Sequence, residues 1–235
     1  MLFEPPLQPA RLLRRYKRFL SDIRLETGEE TTAHCPNPGA MTGLADPGSQ
    51  IWVQDVRHRG GKMPYSWKLN ELEGGHFAGI DTGLPNRIVQ EALSERRIKG
   101  LDDFDSFQPE QRYGQNSRID FLLTRGAGKT YVEVKNVHLV RKPGLAEFPD
   151  SVTARGAKHL RELAEVAQSG HRAVMLYVIQ RTDCTAATLA RDIDPAYCVA
   201  YAAARDAGVQ TLAVGTSISP DGVAIASPIP FLWPE

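Results

Sequence analysis

The chain has 235 residues, of which 28 are Lys or Arg and 28 are Asp or Glu, so its formal net charge is zero. That balance excludes a dedicated polyanion binder with a global basic excess, and any nucleic-acid surface has to be local. The length accommodates one large domain, or an ordinary domain with a smaller one.

The opening "MLFEPPLQPA" sets two prolines and an acid where a secretory leader needs a basic and then an apolar region. The longest apolar run, "AVMLYVI" at 173–179, has the length of a strand and not of a membrane span. A soluble, cytoplasmic protein with no membrane partner is expected. Cys35, Cys184 and Cys198 lie far apart without ligand spacing and read as reduced thiols.

The first candidate surface is "RLLRRYKRFL", where Arg11, Arg14, Arg15, Lys17 and Arg18 meet no acid until Asp22. It reads as a solvated face or flexible arm, or as a phosphate-binding patch. From there to about residue 83, Pro and Gly punctuate short β-rich pieces such as "QIWVQDV" and "HFAGID", which suggests a small, strongly bent sheet or barrel. Trp52, Tyr65 and Trp67 are candidates for stacking on bases, with barrel core the better reading for at least two of them. His34 beside Cys35 lacks a second ligand pair and reads as a packed loop.

After "TGLPN" the texture changes, and the domain boundary is placed there, giving 1–83 and 84–235. "NRIVQEALSERRI" predicts a helix with Ile88, Val89, Ala92, Leu93 and Ile98 near one stripe and Asn86 as its cap. Three strands follow, "SFQPEQRY", "SRIDFLLT" and "TYVEVKNVHLV", the last two closed into a hairpin by "RGAGK". Then come a helix over 153–168, a buried strand "RAVMLYVIQ", a helix from Asp194 and Pro195 to Gly208, and a strand "VQTLAVGT". The order α-β-β-β-α-β-α-β predicts an α/β domain on a mixed sheet, an antiparallel meander first and parallel crossovers after.

The strand "YVEVKN" carries Glu133 and Lys135 two residues apart, hence on one face. If the apolar rows of the hairpin share the core, Asp120 projects with them. Two neighbouring carboxylates repel unless a cation sits between them, and Mg²⁺ takes one or two carboxylates plus waters and phosphate oxygens. A lysine beside that ion can act on the attacking water or on the phosphate. With eight lysines and 28 acids, about one Asp/Glu-x-Lys triplet arises by chance, so the triplet alone carries nothing. An ordinary solvated ion pair stays open.

The segments "HCPNPGAMTGL", "YGQNSRIDFLL", "YVEVKNVHL" and "FPDSVTARGAKHLREL" resemble the sugar fermentation stimulation protein (SfsA) family along essentially the whole chain. The resemblance implies an N-terminal OB-like β-barrel followed by an α/β domain of the PD-(D/E)XK nuclease fold with a mixed central sheet. It implies a non-specific DNA-binding protein linked to the regulation of sugar metabolism. It makes Asp120, Glu133 and Lys135 the counterparts of the nuclease core, with Asp120 and Glu133 as ligands of Mg²⁺ or Mn²⁺ and Glu91 as an added acid from the preceding helix. Pro38 departs from the threonine common in "HCPNTG", and "RHRGGKMPYSW" is poorer in Lys and Arg than in many relatives.

In "ARGAKHLREL", Arg155, Lys158, His159 and Glu162 are read on the face away from Leu160 and Leu163, where Arg155 and Lys158 would bind phosphates. Gln180 closes the buried strand at an edge where side chains meet substrate. Asp150 reads as a turn former more than a site acid. Three functions stand side by side: a DNA binder with a vestigial site, an active metal-dependent nuclease, and a metabolite-responsive or protein-interaction module without a nucleic-acid role. The oligomeric state is left open to a homodimer.

Overall fold

In the computed structural model, which describes residues 1–114 and 117–233, the first six strands are β1 (Leu7–Tyr16), β2 (Leu20–Leu25), β3 (Glu30–His34), β4 (Gln50–Asp55), β5 (Tyr65–Leu72) and β6 (His76–Gly79). They lie in the order β3-β2-β1-β4-β5-β6. A parallel pairing of β3 with β5, Ala33 with Tyr65 and His34 with Ser66, joins the ends into a closed five-stranded barrel with β6 appended. Its interior is filled by Leu12, Ile23, Ile51, Val53, Trp67 and Ile80, all at 0% exposure.

The basic run is therefore not a flexible arm. Leu12 alternates inward while Arg11 and Arg14 face out, so the stretch is a barrel strand. It ends in a turn where Lys17 and Arg18 adopt φ of 48° and 63° before the chain returns along β2. Tyr65 and Trp67 are buried in the barrel, whereas Trp52 is half-buried and donates Nε1–H to Glu71 Oε2 at 3.2 Å.

The remaining elements are α1 (Leu84–Ser94), β7 (Ser106–Tyr113), β8 (Ser117–Arg125), β9 (Gly128–Val137), β10 (Leu139–Lys142), β11 (Leu145–Phe148), α2 (Ala154–Gln168), β12 (Arg172–Ile179), β13 (Ala186–Leu189), α3 (Pro195–Asp206), β14 (Gln210–Ser219) and β15 (Gly222–Pro228). The central sheet runs β15-β14-β12-β9-β8-β7. Strands β9, β12 and β14 are parallel, and β7, β8 and β9 form the antiparallel meander.

The middle strand β12 is apolar at nearly every position because both of its faces are covered. Val174, Leu176 and Val178 pack with Leu84, Ile88 and Leu93 of α1, while Met175, Tyr177 and Ile179 pack with Leu160 and Leu163 of α2 and Tyr197 of α3.

Two expectations change. Helix α1 starts earlier, with Gly83 in the capping position and Pro85 in the first turn, so Asn86 lies inside the helix and its side chain is released for other work. A small sheet, β10-β11-β13, was not anticipated; "TYVEVKNVHLV" breaks after Val137, and its tail pairs with β11 instead. Among the described residues no helix is long and apolar enough to cross a membrane, and all three cysteines are free thiols.

The packing makes a direct prediction. Leu176→Ala, at the fully buried centre of β12, should lower unfolding stability by about 3 kcal/mol in urea titration. Val199→Ala, on the exposed side of α3, should change it by less than about 0.5 kcal/mol.

Candidate functional site

The site begins where two backbone ladders are interrupted. Strands β8 and β9 pair from Phe121 with Val132 to Arg125 with Gly128. One residue further, the Val134 amide donates to Asp120 Oδ2 at 2.7 Å. On the other side of β8 the pairing with β7 omits the step at which Glu110 would face Asp120, and Glu110 adopts φ 54°. A side-chain carboxylate thus takes a place that a strand carbonyl would fill, and the sheet opens there.

Asp120 Oδ1 accepts a second hydrogen bond, from Asn86 Nδ2 at 2.7 Å. Burial, and after it the charge of Glu133, push the Asp120 carboxyl up to about 6, against the opposing pull of these two donors.

Glu133 is 3% exposed in β9. Its Oε1 accepts from Lys135 Nζ at 2.7 Å and is also in contact with His159 Nδ1 of α2. Burial alone would raise this carboxyl, but the charge of Lys135 and the bond from His159 outweigh it and hold Glu133 below its ordinary value. Arg155 Nε donates to His159 Nε2 at 3.3 Å, which leaves the ring proton on Nδ1 for Glu133. The other oxygen, Glu133 Oε2, is buried and has no hydrogen-bond partner.

A cleft of about 540 Å³ lies over these groups, lined by Glu110, Asp120 and Glu133 and by Arg118, Arg155 and Lys158. The donor set suits a hard divalent cation that keeps much of its water: an unsatisfied carboxylate oxygen stands beside a second carboxylate whose ionised form is disfavoured. Among the described residues no group of three or more His, Cys, Asp or Glu side chains is placed to hold a metal ion by itself.

The structure assembles Asp120, Glu133 and Lys135, and separates Glu91 from them. The Glu91 carboxylate binds the N-terminal ammonium of Met1 at 2.7 Å, next to the Val223 carbonyl of β15 at the far edge of the sheet. Five residues along a helix turn a side chain to another face, and the α1 residue that reaches the site is Asn86.

On α2, Arg155 is exposed and Lys158 half-buried at the cleft, but His159 and Glu162 are each 5% exposed, not on a solvated face. Gln180 is also relocated: it is fully buried, its Nε2 donates to Asn136 Oδ1 at 2.8 Å, and its carbonyl accepts from Gly79 N of the barrel at 2.9 Å. It is a joint between barrel and sheet and cannot meet DNA.

In the basic run, Arg14 pairs with Asp22 at 2.7 Å, and Arg15 donates to the carbonyls of Asn37 and Gly39. Lys17 and Arg18 remain exposed at the turn. Asp150 accepts from the Ala40 amide at 3.1 Å and lies near His138, tying the loop after β3 to the segment before α2.

Comparison with known proteins places the chain in context. A family model described as "SfsA N-terminal OB domain" matches residues 13–80, and one described as "Sugar fermentation stimulation protein RE domain" matches 83–222. A protein of Jannaschia sp. (strain CCS1), named as a sugar fermentation stimulation protein homolog, is 60% identical over 98% of this chain and 96% of its own length. Its namesake in Roseobacter denitrificans is 57% identical over 98% and 99%. A solved structure described as "The structure of Pyrococcus Furiosus SfsA in complex with Ca2+" is 26% identical, with a TM-score of 0.88 over 99% of this chain and 98% of that one.

The site electrostatics carry a pH signature. The folded-state value of Asp120, about 6, lies above its ordinary 3.8, so the stability it contributes is present below pH 3.8 and lost as pH rises through about 6. With EDTA present, Asp120→Asn should therefore gain stability relative to wild type between pH 4 and pH 8, by on the order of 2 kcal/mol. A constant difference across that range contradicts the assignment. Asn86→Ala should raise the Asp120 value further, as read by carboxyl-carbon NMR titration, because it removes a donor to the ionised form.

Proposed function

The chain belongs to the sugar fermentation stimulation protein family, and on that premise we propose that it binds DNA through the phosphate backbone. We further propose that it carries, at Asp120 and Glu133, a Mg²⁺- or Mn²⁺-dependent phosphodiesterase site of the PD-(D/E)XK kind. The observation that carries this reading is the buried, unpartnered Oε2 of Glu133, a residue that lines the same cleft as Asp120, whose carboxyl is raised by burial and by the charge of Glu133. A purely structural ion pair would have no use for that arrangement, since an unsatisfied buried oxygen costs about 1–3 kcal/mol unless something completes it. The family member from Pyrococcus furiosus described with Ca²⁺ supports a divalent cation as the missing partner.

Asp120 and Glu133 Oε2 would hold the ion. A bound Mg²⁺ or Mn²⁺ supplies Lewis-acid polarisation of a phosphate oxygen and a water more acidic than bulk water. The chain's own residues do the rest. His159 and Lys135 fix Glu133 by its Oε1, so that Oε2 keeps one orientation. Lys135 has two further ammonium protons with which to hold the attacking water or the charge growing on the phosphate. Arg118, Arg155 and Lys158 would grip the flanking phosphates, which positions a strand without reading its bases. A neutral protein with three cations gathered around an acidic centre binds DNA locally and in a salt-dependent way.

Supercoiled, linear and single-stranded DNA incubated with Mg²⁺ or Mn²⁺ should be cut by the wild type and spared in EDTA. Glu133→Gln should lower the cutting rate by about 100-fold or more while still retarding DNA on a gel. Retarded but intact DNA under all metal conditions would leave a binding protein without catalysis. Failure to shift any DNA at low salt would favour the metabolite-responsive or protein-interaction reading. Arg155→Ala should weaken binding about equally across sequences and reduce the slope of log affinity against log salt by about 1.

A further inference from the structure

The barrel has a surface that the cleft does not use. Among the described residues of the barrel, Phe19 is its one exposed large apolar side chain, at 46% exposure in the turn between β1 and β2. Its ring lies 6.3 Å from that of His34, at the end of β3, with the planes 17° apart. His34 is exposed as well, and burial together with the charge of Lys68 holds its imidazole below the ordinary value, so it is an uncharged aromatic ring at neutral pH.

Beside His34 a depression of about 300 Å³ is lined by Val56, Arg59, Lys62 and Met63. The sequence from Val56 to Trp67 contains no acid, and Lys17 and Arg18 are exposed next to Phe19. Two roughly parallel exposed rings with cations on both flanks match the chemistry of an unpaired nucleotide, whose base offers a face to stack on and whose phosphates carry charge. A duplex hides those faces, so the rings reward only a single strand.

Charged groups lie between this surface and the cleft. Lys68, whose charge acts on His34, pairs with Asp81 at 2.7 Å; Arg87, on α1, lies 3.6 Å from Asp81 with half of its side chain in solvent. The preceding residue, Asn86, holds Asp120.

We propose that Phe19 and His34 form a stacking platform for an unpaired base, with Arg18, Arg59 and Lys62 on its phosphates, and that the preferred ligand is nucleic acid with a single-stranded segment. This rests on the nucleic-acid reading above and names its substrate class. Trp52, Tyr65 and Trp67, the aromatic candidates in the sequence, are occupied in the barrel wall and leave the role to these two rings.

The test is fluorescence anisotropy with the full chain at low salt in EDTA, where cleavage cannot intervene, using a labelled oligothymidylate and a labelled duplex. The wild type should bind the oligothymidylate more tightly. Phe19→Ala should weaken it about tenfold and leave the duplex unchanged, and Phe19→Trp, which keeps a ring, should restore it. Unchanged melting temperatures would exclude a disturbed turn. Equal oligothymidylate affinity for wild type and Phe19→Ala overturns the platform while leaving the cleft reading intact. Absence of binding to either DNA overturns both.

Discussion

The amide of Val134 donates to the side-chain carboxylate of Asp120 and not to a backbone carbonyl of the neighbouring strand, and the geometry of the site depends on that substitution. In a regular sheet this amide would be satisfied by a carbonyl and the strands would stay closed. Here the ladder stops at Phe121 and Val132, and Glu110 across the other edge of β8 is bent out of its pairing. The gap exposes one carboxylate from β8 and brings a second from β9 into the same cleft. Burial first, and the charge of Glu133 after it, raise the Asp120 carboxyl, and a cation between the two carboxylates would offset the second of these.

The barrel is fastened to this sheet by backbone as well as by side chains. Gly79 N and Gln180 O, Thr182 N and Phe77 O, and a bridge between Ala78 and Arg181 continue β6 onto the end of β12. A Cβ on Gly79 would come 2.6 Å from Gln180 Oε1, so glycine is the residue that lets these chains approach so closely. Asp150, holding the Ala40 amide, makes a second joint at the loop that leads to α2. The basic barrel surface and the cleft therefore keep a fixed relation, as a single nucleic-acid ligand touching both would require.

Much of this was legible in the sequence, and the rest was hidden for identifiable reasons. Alternation and turn residues located β7, β8, β9 and β12, and Thr153 and Asp194 cap α2 and α3 close to the expected starts. Glu133 and Lys135 were recognisable because charge interrupts a valine strand. The partners that complete the site were not. Asn86 looked like a helix cap, since asparagine favours that position, but Pro85 and Gly83 start α1 earlier. The family resemblance implied Glu91 as an added acid of the site, whereas its place on α1 sends it to the N-terminal ammonium. His159 looked solvated because it lies off the leucine stripe, yet α2 sits close enough to β9 to bury it on Glu133. Each of these depends on how a helix is rotated against the sheet, which periodicity alone does not determine.

The central claim is that Asp120 and Glu133 together await a divalent cation, and calorimetric titration of Mn²⁺ into the metal-free protein tests it most directly. The account predicts saturable binding in the wild type that is lost in Asp120→Ala and in Glu133→Gln, and kept in Glu91→Gln. No binding in the wild type, or binding indifferent to Asp120 and Glu133, would contradict it.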